Sequence, residues 1–115
     1  MARYKMVVMS KPAAGREQEY NDWYQNVHLK DVCGVKGVVS AQRFRFSLSL
    51  VQGSDPLPYL AIYDIETDDI NQTLADLTGR VAAGQMVISA ALSLENSFGA
   101  VYEEMGPVVR ANPLE

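Results

Sequence analysis

One histidine and one cysteine leave little room for metal or redox chemistry in this chain. His28 and Cys33 cannot by themselves build a tetrahedral zinc site, and a lone cysteine excludes an internal disulfide. No metal and no cofactor are expected. No apolar run approaches the ~18 residues of a membrane span. The 6–9 run follows Arg3 and Lys5 but is shorter than the ~7–15 residues of a signal-peptide core, so a cytoplasmic location is the default expectation. No Gly-rich phosphate loop is present: Gly79-Arg80 and Gly84 fit neither the P-loop nor the dinucleotide spacing. A nucleophile elbow is missing too. Basic residues are scarce and scattered, ten against fourteen acidic ones. Nucleic-acid binding rests on neutralising phosphates, so neither a nucleic-acid nor a membrane partner is expected.

What remains is an ordinary globular balance in 115 residues, 48% of them hydrophobic, enough for one domain with one core. Alternation predicts a first strand over 4–9. Lys11-Pro12-Ala13-Ala14-Gly15 breaks it. A helix should start near Arg16, with Glu17 and Glu19 favouring its positive end. Tyr20, Trp23, Tyr24 and Val27 give it an aromatic stripe. It should fray near Asp31 and end by Gly34. A long strand is expected over 38–50, with Phe44, Phe46, Leu48 and Leu50 on one face and Arg43, Arg45, Ser47 and Ser49 on the other. The 52–56 turn cluster precedes a third strand over 59–66. Thr67 is the expected N-cap of a second helix with the stripe Ile70, Leu74, Leu77 and Val81. A connector over 84–96 leads to a last strand over 98–105. The domain is thus 1–107, with 108–115 a tail.

This order is βαββαβ, an α+β fold. Right-handed crossovers put both helices on one face of the sheet. The first and third strands are nevertheless apolar on both faces, which implies cover on both. A second copy is the economical cover, so a homodimer with facing sheets is expected. The connector or the tail is the plainer alternative.

Several residues could carry chemistry. His28 lies four residues after Tyr24 on one helix face. Asp31, three residues further on, could orient the imidazole. Histidine suits a general acid or base because its unperturbed pKa is near neutral; the blander reading is a histidine near a helix C-terminus, favoured there by the dipole. Trp23 and Tyr20 could shape a pocket for a flat apolar substrate, although such a stripe is commonly simple core. Cys33 reads as a small buried hydrophobe rather than a nucleophile. Arg43 could hold an anionic or carbonyl oxygen inside the dimer interior; an ion pair is the plainer role. Glu103 and Glu104 point to opposite faces and cannot act as a pair.

The block Gly15-Arg16-Glu17, Glu19-Tyr20-Asn21, Trp23-Tyr24, Val27-His28-Leu29 and Asp31, then Gly37-Val38-Val39-Ser40-Ala41-Gln42-Arg43-Phe44, resembles the EthD-like proteins of the dimeric α+β barrel superfamily. The later run Ile88-Ser89, Ala91-Leu92-Ser93-Leu94 and Val101-Tyr102-Glu103 is similar to short members of that group. Lys30 and Lys36 stand where that pattern often has Pro, a difference in the loop more than in the site. The resemblance implies a ferredoxin-like subunit with an antiparallel sheet, paired sheet to sheet. It spans cyclases, dehydratases, cofactor-independent monooxygenases, haem-degrading enzymes and ligand-sensing domains, so fold alone does not select a function. Haem is not implied, because the haem-degrading members place their His and Trp elsewhere. The expectation is a cofactor-independent enzyme acting on a small apolar, aromatic or polyketide-like compound. His28 would move a proton in a lyase, cyclase or isomerase step, Tyr24 would hold a substrate oxygen, and Tyr20, Trp23 and Arg43 would bind. The alternatives are a monooxygenase and a non-catalytic ligand-binding or regulatory domain.

Overall fold

The computed structural model describes residues 1–112; the last three residues of the expected tail lie outside the described residues. Strand β1 (Ala2–Pro12) leads into helix α1 (Glu17–Trp23), a π-helical turn (Tyr24–His28) and helix α2 (Leu29–Cys33). These three run on as one rod, which Gly34 ends. Strands β2 (Val38–Arg45) and β3 (Tyr59–Thr67), helix α3 (Ile70–Ala82) and strand β4 (Leu92–Glu103) follow. The sheet order is β2-β3-β1-β4, with every neighbouring pair antiparallel.

Period-two alternation builds the core. Tyr4, Met6 and Val8 of β1 stand opposite Ile65, Tyr63 and Ala61 of β3. Those side chains meet Tyr20, Tyr24, Leu29 and Val32 from the helical rod. Ile65 and Tyr63 are almost completely buried, each such side chain contributing roughly 1.5–3 kcal/mol of apolar burial. Gly37 turns the chain from the rod into β2 at φ 101°, and a Cβ there would stand 3.2 Å from the Thr73 hydroxyl. Position 37 therefore needs glycine for both conformation and space.

Four elements differ in extent from the sequence-based expectation. β1 runs through Lys11 and Pro12, where the sequence predicts a break, because these residues pair with Ser93 and Leu92 of β4. β2 stops at Arg45 rather than continuing to 50, because β3 begins only at Tyr59 and offers no further ladder. Phe46 makes one last backbone bond to Pro58, and Leu48 and Leu50 are exposed. The α3 cap is Asp69, whose carboxylate accepts from the Gln72 N–H at 3.1 Å; Thr67 instead hydrogen-bonds the Asp69 backbone. β4 starts at Leu92 and ends at Glu103 rather than 105, taking in the last five residues of the expected connector, because Leu92 and Ser93 pair with Pro12 and Lys11 across a register shift. After Glu103 the described tail has no helix or strand.

The second sheet face has no helix over it. At one end it carries the pairs Arg3–Glu66 and Lys5–Asp64. At the other it carries Val7, Met9, Leu60, Ile62, Phe44 and Phe98. Both phenylalanines are exposed.

Candidate functional site

The π turn sets the site. Four residues of α-helix overshoot a full turn by about 40°, so residues spaced by four drift around a regular helix. The wider winding of the π segment turns that drift back. Tyr20, Tyr24 and His28 consequently stay together: Tyr24 lies edge-on to Tyr20 at 5.5 Å and edge-on to His28 at 5.0 Å. Trp23 stacks on the outer face of His28, 4.7 Å away and 25° from parallel.

Behind His28 lies a cavity of about 400 Å³ between the helices and the sheet. Met6, Val8 and Tyr63 form its floor, and Tyr24, His28 and Val32 one wall. Leu77, Thr78, Val81 and Ala82 of α3 form the other wall, and Met86 covers one end. The apolar stripe of α3 is accordingly only half buried: Leu74 and Leu77 are partly covered and Val81 is exposed. A size of this order suits a small ligand, with a few polar groups set in an apolar lining.

His28 is half-buried. Its Nδ1 is sealed from solvent and has no hydrogen-bond partner among the described residues. Charging the ring would leave a buried N–H unpaired, a cost of about 1–3 kcal/mol. Burial accordingly pushes the imidazole pKa below its ordinary value, and the negative charge of Asp31 opposes this only in part. The ring is neutral at pH 7 and can trade protons only through Nε2. Asp31 does not orient it, contrary to expectation, since no hydrogen bond joins them. Nor is His28 at a helix end, because α2 carries the rod on to Cys33.

Burial also pushes up the pKa of the Tyr24 and Tyr63 phenols, whose hydroxyls act on one another. Both remain neutral donors at pH 7. Arg43 stands over the Tyr24 ring at 4.6 Å and near the Tyr20 and Tyr59 rings at 5.5 and 5.3 Å. Its guanidinium donates to Asn21 Oδ1 at 2.8 Å. Asn21 in turn donates to the Tyr59 hydroxyl, which donates to Glu17.

The structure thus gathers two of the six expected site residues, His28 and Tyr24, onto the cavity. The other four stand elsewhere. Tyr20 is fully buried, and its hydroxyl is shared with Ser10 at 2.6 Å. Trp23 backs His28 from outside and donates its indole N–H to the Val87 carbonyl at 3.1 Å, tying down the connector before β4. Arg43 faces the helices rather than the open sheet face, since it shares the face of Ala61, its partner in the ladder. It holds the tyrosines from behind the cavity. Cys33 is partly buried, and burial pushes its thiol pKa up, which suits a hydrophobe and not a nucleophile. Tyr63, Met86 and the α3 wall were not anticipated. The available signal for Tyr63 was its place on the same face as Met6.

Among the described residues no group of His, Cys, Asp and Glu could hold a metal. No helix there is long and apolar enough to cross a membrane.

No protein-family model matches this chain, and no curated protein matches it. Solved structures do. A proposed monooxygenase from Shewanella loihica PV-4 is 17% identical, with a TM-score of 0.56 over 96% of this chain and 99% of that one. An ethyl tert-butyl ether D (EthD) family protein from Bacillus halodurans C-125 is 13% identical, with a TM-score of 0.56 over 91% of this chain and all of that one. HapK from Hahella chejuensis is 20% identical, with a TM-score of 0.53 over 97% of this chain and all of that one. Near-complete coverage in both directions joins the strand order and the helix placement in one conclusion: this chain has the βαββαβ, ferredoxin-like fold of the EthD-like proteins.

Proposed function

We propose that this protein is a cofactor-independent enzyme that moves a proton on a small, largely apolar compound held in the helix–sheet cavity. One observation carries the reading: a neutral imidazole stands in the wall of an apolar cavity, with a single nitrogen free to exchange a proton. A general base works best when unprotonated and near neutral pKa. His28 Nε2 would take a proton from a carbon or hydroxyl of the substrate, and Tyr24 would donate to the adjacent oxygen. Returning the proton to another atom of the substrate completes an isomerase, cyclase or lyase step. Trp23 supports the base by fixing the imidazole plane from outside.

The naming of the Shewanella loihica neighbour as a proposed monooxygenase favours a second reading. There the same substrate anion would be oxidised by dioxygen instead of being reprotonated. Both readings need the same base.

The test is His28→Asn, which keeps polarity and approximate size but removes the titrating group. A ligand is first found by thermal-shift screening of flat ketones and phenols. Turnover of that compound should fall by on the order of 10²–10⁴, the usual worth of general acid–base catalysis, while binding survives. Full turnover in the variant removes His28 as the base. Tight binding without turnover in either protein points to a ligand-binding domain instead.

A further inference from the structure

One end of the cavity is built differently from the rest. Every residue that lines it except Met86 belongs to a strand or a helix. Met86 stands on the connector between α3 and β4. On one side this connector is pinned to α3: Gly84 takes φ 74°, and the Gly84 and Gln85 N–H groups donate to the Val81 and Arg80 carbonyls. On the other side Ser89 pins it to the start of β4, its carbonyl accepting from the Leu92 N–H and its hydroxyl from the Ala91 N–H. Between the pins, among the described residues, one hydrogen bond reaches the chain, from the Trp23 indole to the Val87 carbonyl. Val87 and Ile88 are exposed, while Met86 is only 3% exposed. Residues 86–88 are therefore moored by one buried side chain and one hydrogen bond, which places them among the parts of a fold that open most easily. The side chain that moors them is also an adaptable one, since methionine is unbranched and fits itself to irregular gaps.

Building on the reading of this cavity as the substrate site, we propose that Met86 is its adjustable end stop, the residue that sets how long an apolar substrate can be, and that residues 86–88 swing outward on the Gln85 and Ser89 pins when a longer compound enters. The packing decides which wall gives way. Val32 and Tyr63 move only with the helix and the strand that carry them, against a close-packed core. Met86 moves at the cost of its own burial and of the Trp23–Val87 bond. Trp23 passes the movement to the base, because the indole that holds Val87 also stacks on His28. A compound that pushes the connector out thus frees the ring that fixes the imidazole plane. The site selects compounds that fit behind Met86, by affinity and by the order of the base.

The probes are para-alkylphenols from methyl to octyl, followed by calorimetry and by the emission of Trp23, the one tryptophan in the chain. Each added methylene should raise wild-type affinity roughly four-fold until the alkyl chain meets Met86, where the gain stops. From that length on, the emission maximum should move to longer wavelength, as the indole N–H exchanges the Val87 carbonyl for water. Met86→Ala should carry the gain on for about two further methylenes, and Met86→Phe should end it earlier. An affinity that climbs through the whole series without a break overturns the stop. So does a break at the same length in wild type and both variants, or a series of which no member binds. A break that leaves Trp23 emission unmoved overturns the swing. If one variant fails to fold, the other and the wild-type emission still decide. None of these readouts needs turnover, which separates the stop from the base. If the break follows Met86 while His28→Asn keeps full turnover, the base assignment fails and the stop stands. If the break ignores Met86 while His28→Asn loses turnover, the stop fails and the base stands.

Discussion

His28 makes a statement about stability as well as chemistry. Its folded pKa lies below the ordinary value because burial disfavours the charged ring. The unfolded chain takes up a proton as the pH falls through ~6.5, and the folded chain declines it until a lower pH. Over that window the unfolded state binds more protons, so stability falls with falling pH. Above the unfolded value the residue contributes no pH dependence, and below the folded value its share of the loss is complete. Urea unfolding of wild type and His28→Asn between pH 8 and pH 4.5 should show this by difference. Carboxylates common to both proteins cancel, and the wild type should lose stability more steeply below ~6.5. A wild type that instead gains relative stability on acidification would mean that the ring is charged in the fold, as at a helix C-terminus, and that it cannot be the resting base.

At the scale of elements, the π turn decides where the imidazole goes. A π segment amounts to one extra residue absorbed into an α-helix, and such segments gather at functional sites. Gln25 and Asn26 in this turn are exposed, so deleting Asn26 should let the turn relax to regular α-helix while Tyr20, Tyr24, Leu29 and Val32 keep their places in the core. The expected outcome is unchanged helix content by circular dichroism, a melting temperature within ~6 °C of wild type, and weaker ligand binding, because His28 then stands three residues after Tyr24 instead of four. Collapse of the fold would mean that the turn is structural. The sequence carried a trace of this turn: Tyr20, Tyr24 and His28 repeat at a strict spacing of four, where a regular helix face alternates threes and fours. Other elements were legible because local chemistry agrees with the fold. Glu17 and Glu19 mark the start of the rod and Gly34 its end. Segment 46–50 misled because Phe46-Ser47-Leu48-Ser49-Leu50 alternates like a strand, and alternation says nothing about whether a neighbouring strand is present to receive it. Tyr63 was hidden for a related reason. Only tertiary packing sets it against Tyr24, and nothing in an apolar strand marks one tyrosine as part of a cavity lining.

Taken as a whole, the molecule has more surface than a lone chain of its mass should keep. It exposes 8150 Å², whereas a compact monomer of 12.7 kDa would expose about 6,200 Å². Its radius of gyration is 15.8 Å, against about 13 Å for a compact domain of this length. The 46–58 loop and the tail account for part of the excess, and the open sheet face for another part. That face is not uniformly sticky. Paired charges occupy one end, and Val7, Met9, Leu60, Ile62, Phe44 and Phe98 the other. A patch built this way suits a self-complementary partner, since a two-fold axis brings each patch onto its own copy. Stable interfaces remove roughly 1,600 Å² in total, which one sheet face from each of two chains can supply. A homodimer is therefore the expected state in solution at micromolar concentration. Light scattering should return twice the chain mass. Phe44→Lys places a charge on the β2 side of the patch without touching the helix side, where the cavity lies, so it should shift the mass towards one chain and leave ligand binding within about three-fold of wild type, consistent with independence of distant sites. A dimer that ignores Phe44→Lys would have to use another surface, and a wild-type monomer would leave the apolar end of the sheet exposed to water with no second copy to cover it.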